Sequence, residues 1–187
     1  MRYSVRYSYT KTMMRRAFVV LFCPFLLCLL LSLSSHAEAK GFVFTDHTGK
    51  KLTLADYKGK WVLINFWATW CPPCLKEIPD LVSLYESRKK DVMVIGVAMD
   101  YRDPKTVLKY AKRLSITYPL VFGDQKIAAQ IGPVSMLPTT YVFDPEGKPA
   151  VYKVGIVSRE ALEEFIRENS KNPPNPQGAG TTQQKKR

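Results

Sequence analysis

The chain has 187 residues, with 28 Lys+Arg against 16 Asp+Glu, a formal charge of +12, and 46% of it is hydrophobic. That composition excludes a wholly disordered chain, and the length suits one domain with a single core. Ten glycines and one long apolar run exclude collagen-like and multi-span membrane classes, and four cysteines are too few for a disulfide-stapled miniprotein.

The apolar run occupies residues 17–33, after Arg15 and Arg16 and before Ser34–Ala39, where small residues alternate. These three parts read as a secretory signal over residues 1–39. Counting from Met13 or Met14 gives a leader of about 26 residues, within the usual range, which points to an internal start. Cleavage after Ala39 satisfies the Ala-x-Ala rule. The alternative is an uncleaved N-terminal anchor, but a run that is interrupted by Pro24 falls short of the roughly 20 residues that span a bilayer. Cys23 and Cys28 read as apolar signal residues, since Leu27 is bulky where lipid attachment at Cys28 would want a small neighbour.

Residues 40–170 carry 19 basic and 15 acidic side chains, so the part expected to fold is only +4 and a nucleic-acid partner is not expected. Residues 171–187 hold three Pro, two Gly and no large apolar group, the composition of a disordered tail. Lys185-Lys186-Arg187 reads as its solvated end rather than a lipid-binding patch.

Within residues 40–170, Phe42 to Thr45 and Lys51 to Leu54 flank the turn residues Asp46-His47-Thr48-Gly49, a hairpin. Trp61 to Trp67 is a nearly continuous apolar run, broken only by Asn65, which predicts a strand buried on both faces at the centre of a sheet. Ile78, Leu81, Val82 and Tyr85 recur at helical spacing, predicting a helix from Pro72 to Arg88 with a kink at Pro79. A strand over Val92 to Met99 follows. Asp103-Pro104 then offers a capping carboxylate and a first-turn proline for a helix that faces inward with Val107, Tyr110, Ala111 and Leu114. A short strand over Leu120 to Phe122 precedes a short helix over Asp124 to Ile131, which Gly132 is expected to close. Thr139 to Phe143 and Ala150 to Val154 alternate around Asp144-Pro145-Glu146-Gly147, an antiparallel pair. The last helix starts at Ser158 and buries Leu162, Phe165 and Ile166. The expected class is α/β, a mixed sheet with helices on its faces.

The chemistry lies in Trp70-Cys71-Pro72-Pro73-Cys74, where the buried strand turns into helix. Cys71 at a helix N-terminus meets partial positive charge and free amides that favour thiolate. Cys74, roughly one turn on, can reach it to close a disulfide. The first sulfur then attacks a partner's disulfide and the second resolves the mixed disulfide. A purely structural bridge would close too small a loop to stabilise much. Zinc wants four ligands, and the mature chain offers these two cysteines, His47 and carboxylates. Pro72 and Pro73 lack N–H groups, so donors that could hold a thiolate are missing; this favours a reductant over an oxidant. Dithiol exchange needs no metal or organic cofactor, and none is expected.

From Asp46 through Pro79, with Gly49-Lys50, Gly59-Lys60, Asn65-Phe66-Trp67-Ala68-Thr69-Trp70-Cys71-Pro72-Pro73-Cys74 and Glu77-Ile78-Pro79, the sequence resembles TlpA/ResA-type thiol:disulfide reductases of the thioredoxin superfamily. Met136-Leu137-Pro138-Thr139-Thr140 resembles that family's second hallmark, and the likeness covers about residues 41–168. It implies a thioredoxin fold with an N-terminal hairpin and a central insertion, for which residues 103–131 are the candidate. By the same likeness Pro138 takes the place of a cis-proline facing the cysteines. Leu137 would then offer its backbone to a bound peptide, with Thr139 and Trp70 completing the substrate-binding surface. Asn65 stands where thioredoxin keeps a buried aspartate. Glu77 takes the place of the family's own carboxylate, tuning Cys74 and relaying its proton, against the plainer reading of a solvated helix residue. Trp67, Tyr110 and Tyr118 read as packing.

The resemblance implies an extracytoplasmic reductase, often serving cytochrome c maturation. Expected partners are exported thiol or disulfide proteins, apocytochrome c among them, and a membrane electron donor that recharges the Cys71–Cys74 pair; a monomer is expected. The rivals are an oxidase or isomerase using the same cysteines, a thiol peroxidase, disfavoured because Ala68 and Thr69 do not match the Pro and Thr that precede a peroxidatic cysteine, and a peptide-binding module without electron transfer.

Overall fold

The computed structural model describes residues 41–171. The signal or anchor expected over residues 1–39 lies outside the described residues, as does the tail expected over residues 171–187 apart from Lys171, which ends the last helix. β1 (Val43–Thr45) and β2 (Lys51–Thr53) pair antiparallel. Asp46 makes their turn: its Oδ1 accepts from the backbone N–H groups of Thr48 and Lys50, each at 2.9 Å, while Gly49 adopts φ +90°. The second strand ends one residue before the expected Leu54. Asp56 Oδ2 accepts from the Thr53 N–H and hydroxyl at 2.8 Å, and Leu54–Tyr57 winds into a 3₁₀ turn.

The main sheet has the order β5-β4-β3-β6-β7. β3 (Trp61–Trp67) is buried at every residue and lies in the middle, as the nearly continuous apolar run predicts. It runs parallel to β4 (Val92–Ala98) and antiparallel to β6 (Thr139–Phe143). β5 (Leu120–Phe122) and β7 (Pro149–Val154) form the edges, parallel and antiparallel to their neighbours. Alternation along β3 sorts the core. Trp61 and Leu63 pack with Leu81 and Leu84 of α1 (Pro72–Ser87) and with Leu162 and Ile166 of α4 (Arg159–Lys171). Trp67 packs with Val107 of α2 (Pro104–Arg113). Val62, Ile64 and Phe66 meet Phe42, Phe44, Leu52 and Tyr57 of the hairpin side and Ala128 of α3 (Gln125–Ala129).

The carboxylate cap expected at Asp103 forms, and Asp124 caps α3 in the same way. Asp103 accepts from Lys105 N–H at 3.0 Å and Asp124 from Ile127 N–H at 2.8 Å, with Pro104 at the first turn of α2. The expectation for Gly132 holds in part: its N–H donates to the Ala128 carbonyl at 3.0 Å at the end of the helix, but without the left-handed backbone of a glycine cap. α3 ends at Ala129, and Gly132 is absent from the positive-φ glycines; its smallness serves packing, because a Cβ there would lie 2.6 Å from the Tyr141 hydroxyl.

Candidate active site: a disulfide where a strand becomes a helix

β3 delivers the chain to Cys71, which caps α1 with extended backbone, φ −98° and ψ 99°. Cys71 and Cys74 are joined in a disulfide with Cα atoms 5.3 Å apart. The Cys74 N–H points at Cys71 Sγ, at 3.3 Å. An N-cap atom can receive the N–H groups of the second and third helical residues; here the second is Pro73, which has none. Pro72 and Pro73 are exposed, Cys71 is 4% exposed and Cys74 is fully buried, so an incoming thiol can reach only the Cys71 sulfur.

Glu77 lies one turn beyond Cys74 on α1 and is 1% exposed, which overturns the solvated reading. Its Oε1 accepts from Asn65 Nδ2 at 2.7 Å and its Oε2 from the Val157 N–H at 2.9 Å. Burial outweighs these two bonds, with a small contribution from the charge of Asp80, and pushes the Glu77 carboxyl up to about 7. Such a carboxyl exchanges a proton readily near neutrality. Asn65 also donates to Thr140 Oγ1 at 3.0 Å.

The Leu137–Pro138 peptide bond is cis, as the resemblance implies. Pro138 is buried and its carbonyl accepts from Gly155 N–H at 2.8 Å. Leu137 packs against the cluster that encloses Cys71 and Cys74, so this loop lies against the disulfide. Thr139 is fully buried and its hydroxyl donates to the Met136 carbonyl at 2.7 Å; its side chain holds the loop in shape and turns away from any docking surface. Met136 and Trp70 are the exposed apolar groups here, 62% and 60% exposed. Trp70 Nε1 donates to the Asp100 carbonyl at 3.1 Å, and Asp100 takes φ +49°.

Three contributors escaped sequence reasoning. Thr140 falls in the second motif, but nothing in its spacing tells that it faces Asn65. Val157 and Asp100 act through backbone atoms, which no side-chain pattern reports. Thr140 and Val157 also line an apolar groove of about 380 Å³ between β7 and α4, which brings the outer surface up to the groups that hold Glu77 and Asn65.

The AhpC/TSA family matches residues 36–150. The thiol-disulfide oxidoreductase ResA of Geobacillus kaustophilus is 37% identical over 131 residues, 70% of this chain and 75% of that protein. Among solved structures, a thioredoxin-family thiol:disulfide interchange protein from Chlorobium tepidum superposes with a TM-score of 0.63 at 28% identity, covering 68% of this chain and 92% of that one. The pneumococcal exposed lipoprotein thioredoxin from Streptococcus pneumoniae superposes with a TM-score of 0.60 at 28% identity, covering 68% of this chain and 98% of that one. A mixed five-stranded sheet that ends in a paired Cys71–Cys74 is thus shared in fold and in sequence with proteins that exchange disulfides, and the chain belongs to the TlpA/ResA-type thiol-disulfide oxidoreductases of the thioredoxin superfamily.

Proposed function

We propose that this oxidoreductase works in the reducing direction, outside the cytoplasm, on disulfides of exported proteins. The observation that carries the direction is the donor set at Cys71: Pro73 withholds one N–H and only Cys74 supplies one. A thiolate with fewer donors is less stabilised, and a less stabilised dithiol gives up its electrons more readily.

In the dithiol form the Cys71 thiolate attacks a substrate disulfide. A mixed disulfide forms and the substrate's second sulfur leaves as thiolate, which takes a proton from water. Cys74 then passes its thiol proton to the Glu77 carboxylate and attacks Cys71 Sγ. The Cys71–Cys74 bond closes, and the substrate's first sulfur leaves as thiolate and takes a proton from water, while Glu77 returns its proton to water. The substrate has gained two electrons and two protons, and the enzyme is left oxidised. Trp70, Leu137 and Pro138 frame the surface on which the substrate lies, the Leu137 backbone offering strand-like pairing.

The apolar run at residues 17–33 and the likeness to an exposed lipoprotein thioredoxin support a place outside the cytoplasm. No thiol pool would recharge the enzyme there, so a membrane electron donor reduces the Cys71–Cys74 bond. Apocytochrome c, with its own cysteine pair, is the leading substrate, which would place the enzyme in cytochrome c maturation as a monomer.

The test is trapping. With Cys74→Ser, mixed disulfides at Cys71 cannot resolve, and mass spectrometry of what accumulates is expected to identify apocytochrome c. Accumulation of many unrelated exported proteins would replace that substrate by general reduction or isomerisation. A reduction potential in the range of strong oxidants would reverse the direction.

A further inference from the structure

Resting on the exchange chemistry proposed above, we infer that Asn65 and Thr140 form a reversible clasp on Glu77, in which the Asn65 side-chain amide turns end for end when Glu77 takes up a proton. The geometry that carries this is an imbalance at Asn65. The side chain is fully buried, and both of its hydrogen bonds come from one end: Nδ2 donates to Glu77 Oε1 at 2.7 Å and to Thr140 Oγ1 at 3.0 Å. The other end, Oδ1, is buried with no partner among the described residues.

An amide has two hydrogens to give on nitrogen and two lone pairs to accept with on oxygen, so the same two contacts can be made with the directions reversed. With Glu77 ionised, its Oε1 can only accept, and the amide must present nitrogen. The proton has a defined place to land. Oε2 is held by the Val157 N–H, a backbone donor that cannot turn, so the hydrogen goes to Oε1, the oxygen facing Asn65. Once there, it needs an acceptor where Nδ2 now sits. Half a turn about the Asn65 Cβ–Cγ bond puts Oδ1 in that place and moves no backbone. Thr140 follows, because a hydroxyl can accept from nitrogen in one setting and donate to oxygen in the other. The far end of the amide is unpartnered either way, so it holds neither setting and the charge on Glu77 decides. Asn65 is a positioning residue in this scheme. An aspartate in its place would have no hydrogen for an ionised Glu77 and would add a second negative charge beside it.

The other charged or titratable groups around Glu77 are few. Asp80 lies on α1, Lys153 on β7 stands opposite Thr140 in the strand register, and Arg159 opens α4 with its N–H on Asp80. The Tyr118 phenol, before β5, is driven far up by burial and does not titrate near neutrality. The paired cysteines do not titrate while oxidised.

The test uses the full chain, oxidised and labelled with 13C and 15N, followed by NMR from pH 5 to pH 9. At pH 9 the Asn65 side-chain amide hydrogens are expected to show cross-relaxation with the Glu77 and Thr140 side chains. At pH 5 those cross-peaks are lost, with the midpoint of the Glu77 carboxyl carbon shift. Cross-peaks that persist unchanged through the titration, or a Glu77 carboxyl that does not titrate in this range, overturn the clasp. In Asn65→Asp the Glu77 midpoint is expected to move upward by about one pH unit or more, as two carboxyl groups share a proton; an unmoved midpoint overturns it. Reduction of a model disulfide by the same protein, after its Cys71–Cys74 bond has been reduced with dithiothreitol, reports separately on Cys71 and Cys74. Intact exchange with a stationary amide removes the clasp alone, whereas lost exchange removes the reading on which it rests.

Discussion

Glu77 is a buried acid whose carboxyl lies at about 7, against 4.5 when exposed, and the sign of its effect on stability follows. Between those values the folded protein binds more protons than the unfolded chain, so stability is highest near the lower value and falls as pH rises through 7. The difference is worth about 3 kcal/mol. Urea unfolding of the oxidised protein at pH 5 and pH 8 is expected to show this loss, and Glu77→Gln is expected to abolish most of it. The same substitution is expected to slow the resolving step by about 100-fold, the lower end for a positioned acid–base group, read by stopped-flow release of a thiol from the mixed disulfide. At Cys71 the missing donor gives a second expectation. Pro73→Ala restores an N–H at the second helical position, and a hydrogen bond to a charged sulfur is worth about 1.5–3 kcal/mol. For a two-electron couple that raises the reduction potential by about 30–60 mV, measurable against glutathione.

Among the elements, β3 was the most legible, because a strand buried on both faces has a nearly unbroken apolar run, and Trp61–Trp67 is apolar at every position but Asn65. α1 and α2 were legible from their inward-facing spacing and from Pro72 and Asp103-Pro104 at their starts. The 3₁₀ turn at Leu54–Tyr57 was hidden, since it depends on Asp56 reaching back to Thr53. The cysteines were readable from motif spacing, and Glu77 only from the family resemblance. Their setting was less so: Thr140 meets Asn65 only through the β3–β6 register. β4 shows the same limit, for Gly96 looks like an indifferent gap in an apolar run. It pairs with Asn65 and Leu120, and a Cβ on it would lie 2.8 Å from the buried Tyr118 ring. Gly96→Ala is therefore expected to cost about 1–3 kcal/mol through overpacking, measured by denaturant unfolding.

For the molecule as a whole, the hairpin is part of the core. Phe42 and Phe44 stack at 4.5 Å and Phe42 meets Phe143 edge-on, while the His47 N–H reaches the Leu120 carbonyl and the Gly59 N–H the Pro145 carbonyl. Phe44→Ala is expected to cost about 3–5 kcal/mol and to lower one cooperative transition, whereas a loosely attached hairpin would melt in a separate step visible by circular dichroism. The bond from His47 has one more effect. It falls on β5, the short strand at one margin of the sheet, while the opposite margin, β7, begins with Pro149 and carries an exposed Lys153. A margin that is short and partly occupied, or lacks a donor and bears a charge, makes a poor template for another chain. Among the described residues, then, neither margin of the main sheet readily takes on a strand from a second copy of the chain.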